Sequence, residues 1–408
     1  MIRRTAMNEE SAVGANGGAK PSRLAVVDGL RGYALFGLFL VHVTGYFELY
    51  NARPVPSLVQ DSVLWLFLGK SFTLLAICFG FSFFIMMDGA RRRGQPFALR
   101  FAWRLALLFA IGWLHALIYR GDIIVVLATA GFVLIPFEFV RSTRVLLTLA
   151  IFLLLQPFLI LRIVAGHYGA GWALADPLFY NDGGAMGPSL FGSFGDLIQA
   201  NLVAGKVSKW SFYIETGRIV QILGLYLIGL VLGRERFFAE PERFRRLRLW
   251  ALILAVIVIY PLAHARSLTC CHRNGPLYWT DVMLSGWIDV AGMAISLLVF
   301  VQLWLWGSGR ILDKLVPAGR MTLTLYIGQS LVFVPVYYGF GLHLWDRITQ
   351  VESLLLGLIS FALQLAFATW WFRYFLYGPL EWLWRAATKL SFDVPFRRRA
   401  EPLKRATT

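Results

Sequence analysis

Ionisable side chains interrupt several of the long apolar runs in this 408-residue chain. His42 lies in the first run, Lys70 in the second and His115 in the third, and Asp122 follows shortly afterwards. Each such group costs about 2.5–3.5 kcal/mol or more inside a bilayer, so it generally faces a partner or a polar cavity. Imidazole groups also exchange protons near neutral pH. These residues therefore mark candidate sites for ligand binding or proton transfer.

The first run also carries an arginine on the same helical line as its histidine. Arg31 and His42 are eleven residues apart, which places them within about 20° of one helix face and about 16 Å apart along the axis. A ligand could extend from an anionic head at Arg31 to a reacting group near His42. Spacing alone favours a simpler interpretation, in which Asp28 and Arg31 form a helix-start pair and His42 is a buried structural histidine.

The elements that carry these residues have the composition of membrane helices. Hydrophobic residues make up 58% of the chain and charged residues 15%, whereas about a quarter of the residues of an ordinary soluble domain are charged. Apolar runs of about 20 residues are stable as helices in lipid. We therefore predict an all-α fold, a polytopic transmembrane helix bundle with about ten spans. The predicted spans lie near residues 29–50, 62–87, 98–119, 123–140, 145–164, 214–233, 249–265, 281–306, 321–340 and 353–376.

The net charge of +16 could indicate a nucleic-acid-binding protein. The lysines and arginines, however, lie mostly in short connectors between apolar runs, which is the pattern that orients helices in a bilayer. It predicts that both termini are cytoplasmic and that the partners are membrane lipids rather than nucleic acid. In this orientation most of the intramembrane ionisable groups lie in the outer half of the membrane, and a polar cavity open to the outside would explain that clustering.

We predict three regions along the chain. Residues 1–23 form a disordered cytoplasmic tail, residues 24–392 a single bundle domain, and residues 393–408 a basic cytoplasmic tail suited to anionic lipid. An outer loop at about 165–213, rich in glycine and aromatic residues, either shapes a substrate mouth or is a flexible connector. Cys78, Cys270 and Cys271 have neither a disulfide framework nor a zinc-ligand spacing, so no metal site is predicted.

Several motifs resemble known families of membrane proteins. Asp28 and Arg31, followed after ten residues by His42, resemble the Arg-x10-His signature of the acyltransferase-3 family, whose members O-acylate sugars and antibiotics. Most of the chain resembles the YeiB-like family, which is grouped with the acyltransferase-3 and heparan-alpha-glucosaminide N-acetyltransferase families as transmembrane acyl transferases. The YeiB-like motifs are LRG at 30–32, GWLH at 112–115, GDII at 121–124, GRMTLTLY at 319–326, QS at 329–330 and GPLEWLWR at 378–385.

His42 departs from the YeiB-like pattern, which generally has asparagine at this position. The chain thus combines a YeiB-like body with the histidine of the acyltransferase-3 signature. In the heparan-enzyme pattern the catalytic histidine lies further along, whereas this chain has no histidine between positions 43 and 114. His42 would have to take its place.

The resemblance implies a membrane-embedded acyltransferase. Its co-substrate would be an acyl-CoA-type donor that arrives from the cytoplasm, and no bound cofactor is implied. Arg31 and Asp28 would bind the donor. His42 would act as a general base on an acceptor hydroxyl or amine, or would itself be acylated. His115 and Asp122 would complete the catalytic group, with the carboxylate orienting a histidine.

The acceptor side of such a site would be lined by Glu215, Arg218, Tyr326 and Gln329. Glu215 and Arg218 are one helical turn apart, so they could instead simply neutralise each other. The acceptor would be a sugar, a glycolipid or a metabolite at the outer side of a bacterial cytoplasmic membrane. Two other functions stay open: a transporter or flippase for an amphiphilic solute, although no internal repeat is evident, and a structural subunit of an envelope complex.

Overall fold

A computed structural model describes residues 24–181, 184 and 186–398 of the chain. The predicted tail at 1–23 and residues 399–408 of the predicted C-terminal tail lie outside the described residues. The described part is helical and contains no strand, only one isolated bridge between Phe375 and Arg397. The prediction of an all-α helical bundle is therefore confirmed.

The apolar runs fold as helices because a backbone in lipid must satisfy its N–H and C=O groups within its own segment. The helices of the first half are α1 (Ala25–Thr44), α2 (Leu58–Phe67), α3 (Lys70–Arg92), α4 (Ala98–Ile118), α5 (Ile124–Leu134), α6 (Thr143–Leu154) and α7 (Pro157–His167). Those of the second half are α8 (Phe194–Leu202), α9 (Ala204–Glu215), α10 (Arg218–Arg234), α11 (Arg245–Ser267), α12 (Gly275–Leu303), α13 (Thr322–Tyr337), α14 (Gln350–Tyr374) and α15 (Pro379–Lys389).

Within the described residues, seven helical stretches are long and apolar enough to cross a membrane: Ala25–Ala52, Leu58–Arg92, Ala98–Ile118, Thr143–His167, Pro241–Ser267, Gly275–Gly307 and Gln350–Tyr374. Helices α9 and α10 give an eighth if the pair counts as one span, although it is bent by 63°. The two remaining predicted spans also contain helices, but Ile124–Glu138 and Thr322–Tyr337 are shorter than the usual crossing length. These lengths indicate an integral membrane protein.

The segment at 165–213 is more ordered than the loop we predicted. It contains α8, most of α9 and three shorter helical segments, Gly171–Leu174, Leu178–Tyr180 and Met186–Phe191. Helix α8 begins at a capping box in which the side chains of Ser193 and Asp196 each accept a hydrogen bond from the other residue's backbone N–H. That Ser-x-x-Asp spacing is a local start signal, and it lies within a region whose composition otherwise indicates a loop.

Glycines set the closest helix contacts. Gly80 on α3 faces the backbone of Tyr226 on α10, and Gly229 on α10 faces the backbone of Ile77 on α3. A Cβ atom at either glycine would collide with the opposite carbonyl oxygen. Gly32 on α1 and Gly319 in the short helix Val316–Arg320 make a similar crossing. Small residues of this kind let membrane helices pack at short range.

This packing predicts opposite effects for the same substitution at two glycines. Gly80→Ala should destabilise the protein by about 1–3 kcal/mol, because the added methyl group must force α3 and α10 apart. Gly328→Ala on α13 should leave stability unchanged or raise it, since its Cβ would meet no atom within 4 Å and alanine favours the helix. Thermal unfolding of the detergent-purified variants measures the difference, and equal effects would contradict the proposed packing.

Candidate active site

A buried histidine–carboxylate pair lies at the turn between α4 and α5. His115 is in the last turn of α4, and Asp122 is two residues before α5. The His115 Nδ1 atom lies 2.7 Å from Asp122 Oδ1, and the two side chains are 2% and 0% exposed. An ionised Asp122 can only accept from the imidazole, and in that state the imidazole carries its proton on Nδ1. The Nε2 atom is buried without a hydrogen-bond partner among the described residues, and its lone pair is then available to accept a proton.

Local packing holds this turn in place. Gly112 lets the backbones of α4 and α5 approach, since a Cβ there would lie 2.7 Å from the backbone nitrogen of Val125. The same Val125 N–H donates to Asp122 Oδ2 at 3.0 Å. Lys209 on α9 lies within 3.4 Å of the Asp122 carbonyl oxygen, to which it donates. The GWLH and GDII motifs therefore form the turn of one α4–α5 helical hairpin, and α9 contacts this turn.

His42 lies beside this pair and contacts it through Tyr119. The Tyr119 hydroxyl is 2.8 Å from His42 Nδ1 and 3.1 Å from Glu48 Oε1, to which it donates. The Tyr119 ring packs against both imidazoles, with centroids 5.3 Å from His42 and 6.1 Å from His115. His42 Nε2 is likewise buried without a hydrogen-bond partner among the described residues. We call His42, Glu48, Tyr119, His115 and Asp122 the histidine cluster.

The backbone after α1 has a strained conformation that positions Glu48. Tyr46, Phe47 and Glu48 have φ values of 50°, 52° and 78°, a left-handed conformation that costs non-glycine residues about 1–3 kcal/mol each. The reversal turns Glu48 towards Tyr119 and Arg120, whose Nε atom lies 3.3 Å from Glu48 Oε2. Strain of this kind persists where surrounding contacts fix it, and it often occurs at functional sites.

A cavity of about 510 Å³ lies among α1, α3, α4, α5, α13 and α15. We call it the large cavity. Most of its walls are apolar, and Ile123, Ile124 and Tyr326 line it where it approaches the histidine cluster. Charged lining groups enter from the first two turns of α1, α4 and α15 and from the residues before α13. They are Asp28, Arg31, Arg104, Arg320, Glu381 and Arg385.

The charged end of the large cavity is positive. Arg31 donates to Asp28 Oδ1 at 2.9 Å and also to the Ser82 hydroxyl. Glu381 accepts hydrogen bonds from Leu323 N at 2.7 Å and from Thr324 N at 3.1 Å. Burial raises the pKa of the Glu381 carboxyl, and these hydrogen bonds oppose that shift. The lining arginines outnumber the lining carboxylates, so this end suits an anion.

Tyr326 stands between the large cavity and the histidine cluster. It lines the cavity, its hydroxyl accepts from Ile123 N–H at 3.2 Å, and its ring centroid lies 5.4 Å from that of His115. His42, His115 and Asp122 lie behind this layer and do not themselves line the cavity. Arg31 and His42 lie on the same face of α1 but belong to two different sites. Arg31 lines the large cavity, and His42 belongs to the histidine cluster.

The spacing of Glu215 and Arg218 would allow them to neutralise each other, but in the structure each has a different partner. The helix breaks between them at Gly217, whose φ is 68°, and Glu215 pairs with Arg162 at 3.5 Å. Arg218 lies 3.0 Å from Asp289, which also lies 3.6 Å from Lys70. We call Lys70, Arg218 and Asp289 the ion cluster.

The four residues predicted to line an acceptor side are therefore dispersed. Arg218 lines a second cavity of about 170 Å³, the small cavity, together with Gln156, Gln221 and Asp281. Gln329 instead donates to Gln364 on α14 at 2.8 Å. Only Tyr326 lines the large cavity and contacts the histidine cluster.

Sequence reasoning missed several residues of the site. Tyr119 and Glu48 carry no motif of their own, although Tyr119 lies four residues after His115 and Glu48 lies six residues after His42. Arg104 lies within the predicted span at 98–119 and belongs to none of the motifs. Arg320, Glu381 and Arg385 fall within the GRMTLTLY and GPLEWLWR motifs, so the resemblance could have identified them as neighbours of one site.

The family model and the relatives that the chain matches have no assigned activity. Residues 232–391 match the family model described as protein of unknown function (DUF418). That segment includes Arg320, Tyr326, Glu381 and Arg385 of the large cavity, whereas the histidine cluster lies outside it.

Similarity to individual proteins extends over most of the chain. The chain is 26% identical to the uncharacterized protein YxaH of Bacillus subtilis (strain 168), over 91% of this chain and 95% of that protein. It is 25% identical to an uncharacterized 39.9 kDa protein of the amylase 3' region of Bacillus acidopullulyticus, over 94% and 99%. It is also 25% identical to the uncharacterized protein YeiB of Escherichia coli (strain K12), over 90% and 96%. These similarities are consistent with the YeiB-like resemblance of the motifs.

The ion cluster yields a stability prediction. Asp289→Asn should destabilise the protein by about 3–5 kcal/mol, because it leaves Lys70 and Arg218 buried without their shared anion. Adding Arg218→Met should restore part of that loss, since one of the two uncompensated charges is removed. Thermal unfolding in detergent measures both variants. Glu240→Gln is the control, because Glu240 belongs to a surface ion pair and its side chain is 41% exposed, and it should change stability little. If the stability losses of Asp289→Asn and Arg218→Met simply add in the double variant, the coupling is contradicted.

Proposed function

We propose that the protein is a membrane-embedded acyltransferase. It would move an acyl group from a cytoplasmic acyl-CoA-type donor to a hydroxyl or amine of an acceptor at the outer side of a bacterial cytoplasmic membrane. The observation that carries the proposal is the His115–Asp122 pair, whose Nε2 atom has no hydrogen-bond partner among the described residues, next to Tyr326 in the wall of an apolar cavity that has an arginine-rich end. The resemblance of the motifs to transmembrane acyl transferases supports the same chemistry.

The proposal includes a ten-span topology with both termini in the cytoplasm. Helices α5 and α13 would be short spans, and neighbouring protein segments would cover the part of the membrane thickness that they do not cross. Helices α9 and α10 would together form one broken span. The basic connectors support this orientation. They put the arginine end of the large cavity on the cytoplasmic side and the histidine cluster towards the outside.

The large cavity suits the acyl end of such a donor. Its volume of about 510 Å³ lies within the range of about 300–1,000 Å³ that is usual for small-molecule sites. Arg31 and Arg104 would attract the donor's phosphates, and the apolar walls would receive its acyl chain. Arg104 stacks on the Trp384 ring at 3.6 Å, and its Nε atom has no hydrogen-bond partner among the described residues.

In the proposed reaction, His115 Nε2 removes the proton from the acceptor hydroxyl or amine. The acceptor oxygen or nitrogen forms a bond to the thioester carbonyl carbon, the carbon–sulfur bond breaks, and the departing thiolate recovers the proton to give the free thiol. Asp122 stabilises the imidazolium that forms in between. A general base of this kind contributes about 10²–10⁴-fold. Tyr326 must move aside for the carbonyl to reach the pair.

The carboxylate partner supports His115 as the base, whereas the signature resemblance supports His42. His42 contacts Tyr119, whose hydroxyl is also shared with Glu48. We assign His42 to the acceptor side, where it would orient the acceptor through its own Nε2 atom.

Activity variants should separate these roles. In a deletion strain complemented with His115→Ala, mass spectrometry of envelope glycans and lipids should show loss of an acylated species that the unmodified gene restores. His42→Asn should reduce the same species. His264→Ala is the matched control, because His264 is exposed in the last turn of α11, and it should restore acylation in full. Full acylation by the His115 and His42 variants would overturn the proposal.

Donor affinity should depend on the arginine end. Arg104→Gln should weaken binding of coenzyme A to the purified protein about tenfold or more, because a hydrogen bond to a charged group contributes about 1.5–3 kcal/mol. Arg92→Gln serves as the control, since that side chain is 71% exposed on α3 and does not line the cavity. Isothermal titration measures both, and equal affinities would argue against a donor at this end.

A transporter or flippase is the second candidate. The ion cluster beside the 63° bend between α9 and α10 favours it, since broken helices and buried charges also form translocation sites. Movement of an amphiphilic solute across liposomes without any acyl donor would support this function. Solute movement that strictly requires an acyl donor would exclude it.

A further inference from the structure

The turn between α11 and α12 brings two adjacent thiols into contact. Cys270 and Cys271 are both exposed, and their Sγ atoms are 3.1 Å apart. Successive side chains usually point in different directions. Here Cys271 has a φ of 74°, a left-handed conformation that is uncommon for any residue with a side chain. The strained backbone thus turns the second thiol towards the first.

Neighbouring contacts hold this turn at both ends. Arg266, at the end of α11, pairs with Asp281 on α12 at 3.0 Å. Asn274, just before α12, donates to Asp176 at 2.6 Å. The two sulfur atoms are therefore kept close by contacts on either side of the turn. Cys78, the remaining cysteine, is buried in the bundle.

We propose that Cys270 and Cys271 form a thiol–disulfide exchange site, which closes reversibly to a disulfide between the adjacent residues at the expense of a low-molecular-weight disulfide. This site is independent of the proposed acyl transfer. In the proposed topology the turn faces outside the cytoplasm, where thiols meet oxidants and disulfides persist.

The exchange takes place in two steps. The Cys270 thiol is held by the Ser267 carbonyl oxygen, 3.5 Å from its Sγ atom, and the hydrogen bond with Cys271 raises the pKa of Cys270. Cys271 is therefore the attacking thiolate. It forms a mixed disulfide and releases one small thiol. Cys270 then attacks the Cys271 sulfur and releases the second, so the cysteines lose two electrons and two protons, and the small disulfide becomes two thiols.

The closed form should be easy to reduce. Adjacent Cα atoms are about 3.8 Å apart, whereas ordinary disulfides join Cα atoms about 4.4–6.8 Å apart. A disulfide in this turn is therefore strained, and strained, exposed disulfides are the labile ones. Reversibility follows from the same geometry that brings the sulfur atoms together.

The test uses the full-length protein in detergent, fully reduced and then exposed to excess oxidised glutathione. Peptide mass spectrometry should show that the Cys270–Cys271 peptide has lost two hydrogen atoms and carries no glutathione, while Cys78 stays reduced. Dithiothreitol should restore both thiols. Cys270→Ser should stop at the mixed disulfide, because the resolving thiol is missing, whereas Cys271→Ser should take up glutathione more slowly, because the attacking thiol is missing. A wild-type peptide that remains a dithiol, or that retains glutathione, would overturn the proposal.

Discussion

A carboxylate that is completely buried among membrane helices must have partners, and the structure is organised around the partners of Asp122. The Asp122 Oδ1 atom contacts His115 on α4, and the Oδ2 atom accepts from the backbone N–H of Val125 on α5. The backbone carbonyl oxygen of Asp122 accepts from Lys209 on α9. Three elements are thereby fixed at one turn. Tyr119 lies within that turn, so the positions of His42 and Glu48 depend on it as well.

The second organising feature is the separation of charge along the bundle. Helix α1 contributes to both ends, since it carries Arg31 near its start and His42 near its end, while Arg320 lies just before α13 and Tyr326 lies within it. Positive groups line one end of the large cavity, and a buried acid–base pair lies beyond the other. An amphiphilic ligand with an anionic head is the class of molecule that matches this asymmetry.

The helices were predictable because hydrophobic length alone determines where a chain can stay helical in lipid. The proximity of His115 and Asp122 was also within reach, since only a short turn separates them. The break at Gly217 was not, and the helical-turn pairing of Glu215 and Arg218 was wrong because it assumed a continuous helix. Glu48 was missed because its position depends on a strained backbone. Arg104 and Arg385 are far apart in sequence and meet only in the folded bundle.

In the proposed function, an acyl donor occupies the large cavity with its acyl chain directed towards Tyr326. A photoreactive acyl-CoA with the reactive group at the end of a short acyl chain tests this most directly, when it is crosslinked to the purified protein and mapped by mass spectrometry. We expect labels on wall residues near Tyr326, such as Ile124 and Leu127, and excess coenzyme A should suppress this labelling. Labels confined to lipid-facing residues of α11, such as Leu254 and Ile257, would contradict it.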